Sequence, residues 1–259
     1  GGVFLVPVLV LALGMPMHYA IATSIVCVIA TSSAVASTNV ERGTANMRLG
    51  MTLEVATSAG AISGALTAAW LAPRVLEAIF AILLVPTAVL LFRGRTESRA
   101  RGAKTPTGPA PSESAAPLGA LGARYTDEAS GQVVSYRVER LWGGLGIAFL
   151  AGNVSGLLGI GGGIFKVPAL HLVCGVPMRA AAATSNFMIG VTAAASAFLY
   201  YGRGSIRPAV TAAAVLGVLA GSALGTSLNR RVNASSLQKL FAALLLAVAA
   251  QMMYRAVYG

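Results

Sequence analysis

The chain has 259 residues, of which 56% are hydrophobic and only 10% charged. Soluble domains carry about 25% charged residues, so this composition excludes an ordinary soluble globular domain and points to a membrane protein. The net charge of +11 does not mark a nucleic-acid partner. Eight of the 19 basic residues fall between Arg93 and Arg140 and most others sit in short gaps between apolar runs. That is the layout of a positive-inside topology signal, with no aromatic-interleaved basic patch.

In chain order, residues 3–13 are apolar but too short to span a bilayer, which takes about 20 residues per helix. Gly14-Met15-Pro16 makes a turn. Apolar runs at 17–38, 47–70 and 74–92 follow, and the last is expected to stop at Arg93-Gly94-Arg95. Residues 94–121, rich in Pro, Gly, Ser, Ala and Arg, read as a water-exposed linker. Residues 122–138 read as a small β-hairpin turning at Asp127 to Gly131. Apolar runs resume at 141–158, 164–174, 177–201, 206–228 and 236–258. Cys27 and Cys174 both lie in apolar segments and read as buried, inert thiols.

The two halves repeat at an offset of 161 residues, without a gap. Gly1-Gly2 falls on Gly162-Gly163, Pro7 on Pro168, Ala22-Thr23-Ser24 on Ala183-Thr184-Ser185 and Arg42-Gly43 on Arg203-Gly204. Over the first 24 positions 14 are identical. Three segments are therefore expected: a first transmembrane repeat at 1–93, a linker at 94–140 and a second repeat at 141–259. The second copy opens with the run 141–158, ahead of Gly162, so one further helix is expected before Gly1. The fold class expected is an all-α polytopic transmembrane helical bundle. Its two homologous halves have discontinuous helices and alternate across the bilayer as inverted repeats, with 39–47 and 93–140 on the cytoplasmic side.

The densest motif is Ser155-Gly156-Leu157-Leu158-Gly159-Ile160-Gly161-Gly162-Gly163, then Ile164-Phe165-Lys166-Val167-Pro168. No strand precedes it, which excludes a nucleotide fingerprint. Such glycines either allow close helix packing or present backbone N–H groups to an anion. Thr23-Ser24 and Thr184-Ser185-Asn186 either bond back to the backbone or donate to a ligand. Lys166 either attracts an anion or snorkels to an interface. Glu54 is either a coupling acid or reaches the headgroups near Arg48. Arg179 and His18 are expected at a surface or mouth, and His171 as a packing residue. Gly60 and Gly64, and Gly217, Gly221 and Gly225, are small-xxx-small helix-packing patterns. The expected ligand site lies between the halves near the bilayer midplane. It comprises Gly1, Gly2, Thr23, Ser24, Gly161, Gly162, Gly163, Lys166, Thr184, Ser185 and Asn186. No HExxH, Cys/His metal spacing or G-x-S-x-G elbow is present, so neither enzyme activity, a metal nor a cofactor is expected.

The string Gly152-Asn153-Val154-Ser155 through Gly163, then Val167-Pro168 and Ala183-Thr184-Ser185, resembles the sulfite exporter TauE/SafE family. So does the stretch from Tyr125-Thr126-Asp127 to Tyr136-Arg137-Val138, and the resemblance extends over nearly the whole chain. It implies a multi-pass permease of a bacterial-type inner membrane that moves small anions such as sulfite, sulfoacetate or other organosulfonates. The expected partners are that anion, the lipid bilayer and further copies of the chain as a homo-oligomer. The alternative is a membrane scaffold or sensor subunit whose helices only pack.

Overall fold

The computed structural model describes residues 2–101, 121–126, 133–229 and 234–258. Over these residues the chain is helical apart from one hairpin. The helices are α1 (Gly2–Leu11), α2 (Met17–Glu41), α3 (Met47–Trp70), α4 (Pro73–Arg101), α5 (Leu141–Leu158), α6 (Gly163–Pro168), α7 (Met178–Gly202), α8 (Pro208–Asn229) and α9 (Ala234–Tyr258). Strands β1 (Ala123–Thr126) and β2 (Val133–Tyr136) pair antiparallel, Ala123 opposite Tyr136 and Thr126 opposite Val133. The turn expected at 127–131, residues 102–120 of the linker and the Arg230/Arg231 loop lie outside the described residues. Among those described, α2, α5, α7 and the Pro208–Gly225 part of α8 are long and apolar enough to cross a membrane.

Proline and glycine set the helix boundaries. Pro16 and Pro177 directly precede α2 and α7 with extended backbone, and Pro73 and Pro208 open α4 and α8. Proline suits a helix start because the first N–H groups have no intrahelical acceptor. Past the ends of α2 and α7, Gly43 and Gly204 adopt φ of +64° and +66°, the left-handed turn that closes helices. Each donates its N–H at 2.9 Å, to the Val40 and Tyr201 carbonyls respectively. The internal repeat is thus present in the backbone: adding 161 to both bounds of α2 yields those of α7. Two boundaries differ from expectation. Helix α4 runs to Arg101 and not to 92. After Phe92 no proline occurs before Pro106, and the single Gly94 costs about 1 kcal/mol, too little to break a helix. The short helix expected at 164–174 is α6 followed by a π-turn at Ala169–Val173. Pro168 lacks the N–H that would continue the regular ladder.

Two compact units are present, and they cut across the sequence halves. One comprises Gly1–Trp70 and Ala116–Leu219, the other Leu71–Ala115 and Ala220–Gly259. The second is built on the pairing of α4 with α9. It buries Leu76, Phe80 and Leu84 on α4 and Leu245, Ala249 and Met252 on α9. The Arg255–Glu77 pair, at 3.9 Å with the arginine partly exposed, adds little to stability.

In the first unit the closest packing is α3 on α5. A Cβ built on Gly60, Gly64, Gly152 or Gly156 would lie 2.0 Å from a carbonyl oxygen of the facing helix. Small residues allow this approach of backbones. The Gly60/Gly64 pattern therefore packs as expected. Gly217, Gly221 and Gly225 of α8 have nothing within 4 Å of their Cβ positions among the described residues. The hairpin rests on the helices through Tyr125 and Tyr136, which join Leu49, Leu53, Leu170 and Met188 in one apolar cluster. Asn46 ties the hairpin's approach to α3. Its carboxamide oxygen accepts the Leu49 N–H at 3.1 Å, capping α3, and its amide donates to the Leu121 carbonyl at 2.8 Å.

Candidate functional site

Helices α2 and α7, equivalent in the repeat, pack against each other, and the two glycine breaks meet where they do. Helix α5 ends at Gly159, whose left-handed φ of +70° turns its N–H back to the Ser155 carbonyl at 2.8 Å. Gly161 and Gly162 are also left-handed, at +83° and +71°. Only glycine adopts these angles without strain, so α5 and α6 form a broken helix here. The loop's Gly159 carbonyl accepts the Ser24 hydroxyl at 2.9 Å. A Cβ on Gly2 would lie 2.3 Å from that carbonyl oxygen and 2.9 Å from Ser24 Oγ. Cβ atoms on Gly161 and Gly163 would both meet Ile189, and the one on Gly161 also Val28. Val28 and Ile189 are repeat equivalents. The structure therefore brings together Gly2, Ser24, Gly161, Gly163 and Ser185. Gly1 lies outside the described residues. Gly162 faces the α5 backbone instead, its Cβ position 2.9 Å from the Ala151 carbonyl oxygen.

The hydroxyls divide by partner. Thr23 Oγ1 lies 3.4 Å from Thr211 Oγ1 on α8, and Thr184 Oγ1 accepts the Asn46 N–H at 2.9 Å. Both threonines are fully buried, and these bonds tie α2 to α8 and α7 to the start of α3. Ser24 is satisfied by Gly159. Ser185, its repeat equivalent, is fully buried, and its hydroxyl has no hydrogen-bond partner. A buried hydroxyl left unpaired costs about 1–3 kcal/mol. Ser185 lies beside Gly163, whose Cβ would approach its Oγ to 3.9 Å.

Next to Ser185 in the chain, Asn186 lines a cavity of about 560 Å³. Its walls are Asn39, Arg42 and Thr44 at the end of α2, Tyr125 and Thr126 of β1, and Arg179, Ala182 and Ala183 at the start of α7. Two arginines and two asparagines thus line a space large enough for a small oxyanion. The equivalent positions in the other half make other contacts. Tyr200, at the position of Asn39, is buried and donates to the Gly156 carbonyl at 3.0 Å. Arg203, at the position of Arg42, donates to the Ala65 carbonyl at 2.8 Å. Ile21, Ala22 and Ile25, at the positions of Ala182, Ala183 and Asn186, are buried. Arg207 stacks on the Tyr19 ring, 4.6 Å from its centroid.

Lys166 is not in the large cavity. It is 2% exposed and donates to Thr192 Oγ1 at 2.5 Å. Thr192 Oγ1 in turn donates to Glu54 Oε1 at 2.7 Å. The pocket beside Lys166 is apolar and about 10 Å³, room for at most one water. His171 packs as expected, with Nδ1 2.8 Å from the Val176 carbonyl oxygen, and both cysteines are buried and free. Among the described residues no cluster of three or more His, Cys, Asp or Glu could hold a metal. Sequence reasoning missed Asn39, Arg42 and Thr44 as cavity residues. The signal available was the duplication of Arg42 as Arg203.

The apolar spanning helices and the broken helix at a buried polar crossing define a multi-pass helical membrane protein. The sulfite exporter TauE/SafE family matches residues 1–252, and the chain belongs to that family. It is 30% identical to the "Probable membrane transporter protein YunE" of Bacillus subtilis (strain 168) over 116 residues, 45% of this chain and 42% of that protein. It is 31% identical to a "Probable membrane transporter protein" of Xylella fastidiosa (strain Temecula1) over 111 residues, 42% of each. The match thus spans about two fifths of the length of these relatives. No solved structure matches the chain.

Proposed function

We propose that the protein is a permease for small oxyanions of the sulfite and organosulfonate class, working in a bacterial-type inner membrane. The observation that carries this reading is the cavity walled by Arg42, Arg179, Asn39 and Asn186. Its α7 wall leads to the unpartnered hydroxyl of Ser185. An oxyanion in a low-dielectric space needs oriented donors in place of its water. The arginines would gather it at the mouth, and the hydroxyl and the glycine-rich backbone at the crossing would receive it. Neutral donors at the crossing favour release, which a permease needs as much as capture.

Inverted repeats fit this reading. The end of α2 and the start of α7 share the cavity, so these equivalent helices run in opposite directions there. Inverted repeats commonly alternate access by exchanging the conformations of their halves. Asn39 and Arg42 line the cavity while their equivalents Tyr200 and Arg203 bond to the Gly156 and Ala65 carbonyls, an asymmetry of the kind such a cycle uses. The basic residues of 93–140 put that side in the cytoplasm. A scaffold or sensor that only packs its helices has no need of the open cavity or of Ser185. Purified protein in proteoliposomes should exchange labelled sulfite. Replacing both Arg42 and Arg179 by Gln should raise the KM for sulfite while a folded protein persists. An unchanged KM would remove the cavity from the path.

A further inference from the structure

We infer that Glu54 and Lys166 form a proton-binding site that makes anion movement proton-coupled; this rests on the transport reading above. Glu54 is 6% exposed and lies on α3. Its carboxylate accepts hydrogen bonds from Thr57 at 3.0 Å, Ser58 at 2.9 Å and Thr192 at 2.7 Å. Thr192 also receives the Lys166 ammonium, so one hydroxyl bridges the two charges. Among the described residues packed around this pair, α7 contributes Thr192 and α6 contributes Lys166. The segment after α6 contributes the Cys174 thiol, which lines the small pocket beside Lys166. Helix α5 contains no titratable residue.

The repeat supplies an internal control. At an offset of 161, Glu54 corresponds to Val215, Lys166 to Leu5, Thr57 to Val218 and Ser58 to Leu219. Thr192 corresponds to Thr31; both hydroxyls reach the carbonyl four residues back, Met188 at 2.8 Å and Cys27 at 3.0 Å, and Thr192 also meets Lys166 and Glu54. The repeat-equivalent positions, Val215 and Leu5, are therefore aliphatic where Glu54 of the first half and Lys166 of the second carry charges. Buried ion pairs generally stabilise no better than well-packed apolar residues, and charges kept inside a membrane mark ion pathways and proton relays.

Electrostatics then sets the stoichiometry. With Glu54 ionised the pair is neutral, and an anion arriving at the crossing adds an uncompensated charge. Helix α6 connects the two places: Gly163 lies beside Ser185, and Lys166 is three residues on, about 5 Å along the axis. When Glu54 takes a proton from the solvent, Lys166 becomes an unpaired cation and the anion restores neutrality. Proton and anion bind together and leave together, so transport is symport. Nothing is oxidised or reduced. Linkage requires each to raise the other's affinity by the same factor. For complete coupling, apparent anion affinity weakens by up to about tenfold for each unit rise in pH.

The test uses purified protein in proteoliposomes loaded with a pH-sensitive dye and given radiolabelled sulfite or an organosulfonate. Hydrogensulfite itself releases a proton near neutral pH, so the dye is read with the organosulfonate, which stays fully ionised. Wild-type flux should carry protons in the same direction. Glu54→Gln, a neutral mimic of the protonated acid, should lose that proton movement and flatten the pH dependence of sulfite affinity. The double change Glu54→Val with Lys166→Leu installs the residues of the repeat-equivalent positions and should also move no protons. Proton movement persisting in either variant, or wild-type organosulfonate flux without protons, overturns the inference. Infrared difference spectra between acid and alkaline protein give a readout independent of transport. They should show a titrating carboxyl band that vanishes in Glu54→Gln, and spectra unchanged by that substitution overturn the inference. Wild type that titrates at Glu54 but moves no sulfite counts against the substrate reading alone.

Discussion

Replacing Gly152 by Ala tests the helix contact that holds Glu54 in place. A Cβ at Gly152 would lie 2.0 Å from the Thr57 carbonyl oxygen, 2.8 Å from its carbon and 2.9 Å from its Cα. Close C–H···O contacts sit at about 3.3–3.6 Å, so the helices must part by more than about 1 Å. All three neighbours are backbone, and no side chain can rotate away. Overpacking of this kind costs about 1–3 kcal/mol, and alanine's better helix propensity returns up to about 1 kcal/mol. A net loss of about 1–2 kcal/mol corresponds to a melting shift of about 2–4 °C per kcal/mol for a chain of this length. The assay is thermal melting of the detergent-purified protein followed by size-exclusion chromatography. Gly146 lies on the same helix with nothing within 4 Å of its Cβ position, so Gly146→Ala is the control and should melt no lower than wild type. Equal melting temperatures for Gly152→Ala and Gly146→Ala would contradict a backbone contact at Gly152.

Other outcomes follow from the same geometry. The double change Thr184→Val with Ser185→Ala should abolish anion exchange, and normal exchange by a folded double variant would remove this pair from the path. Asn46→Ala removes the cap of α3 and the tie to Leu121, and should cost about 1–2 kcal/mol of stability, measured by melting. Burial raises the Tyr136 phenol above its usual value of 10.0, opposed by a hydrogen bond to Asn46 and reinforced by Tyr125. Its stabilising contribution is complete below pH 10.0 and is lost as pH rises through the raised value, so Tyr136→Phe should lessen an alkaline loss of stability. Single cysteines placed within 100–120 and at 203–205 should label from opposite sides of the membrane, and labelling from one side would rule out inverted repeats.

The repeat was legible because it rests on residues with few backbone choices. Gly14 and Gly175, with φ of +61° and +69°, and the prolines ahead of α2 and α7 occupy turns that other residues fit poorly. Their register therefore survives in the sequence. The broken helix at Gly159–Gly163 was legible for the same reason. What a side chain touches across the fold was not. Nothing local pairs Glu54 with Lys166, 112 residues away in the chain, because their meeting depends on how α3, α6 and α7 pack. Lys166 read as an anion ligand for want of that partner. Thr23 and Thr184 looked alike in sequence and remain alike in structure, both bonded to a neighbouring helix segment. Ser24 and Ser185 also looked alike, yet only Ser24 has an acceptor. The end of α4 was misjudged because composition marked residues 94–101 as linker, while arginine, glutamate and alanine there also favour a helix.

The most direct test of the account is counterflow of labelled sulfite into proteoliposomes, run beside a panel of organosulfonates and carboxylates. The account expects saturable exchange of sulfite or a sulfonate that is lost in the Thr184/Ser185 double variant. Folded, correctly inserted protein that exchanges no member of the panel would contradict it.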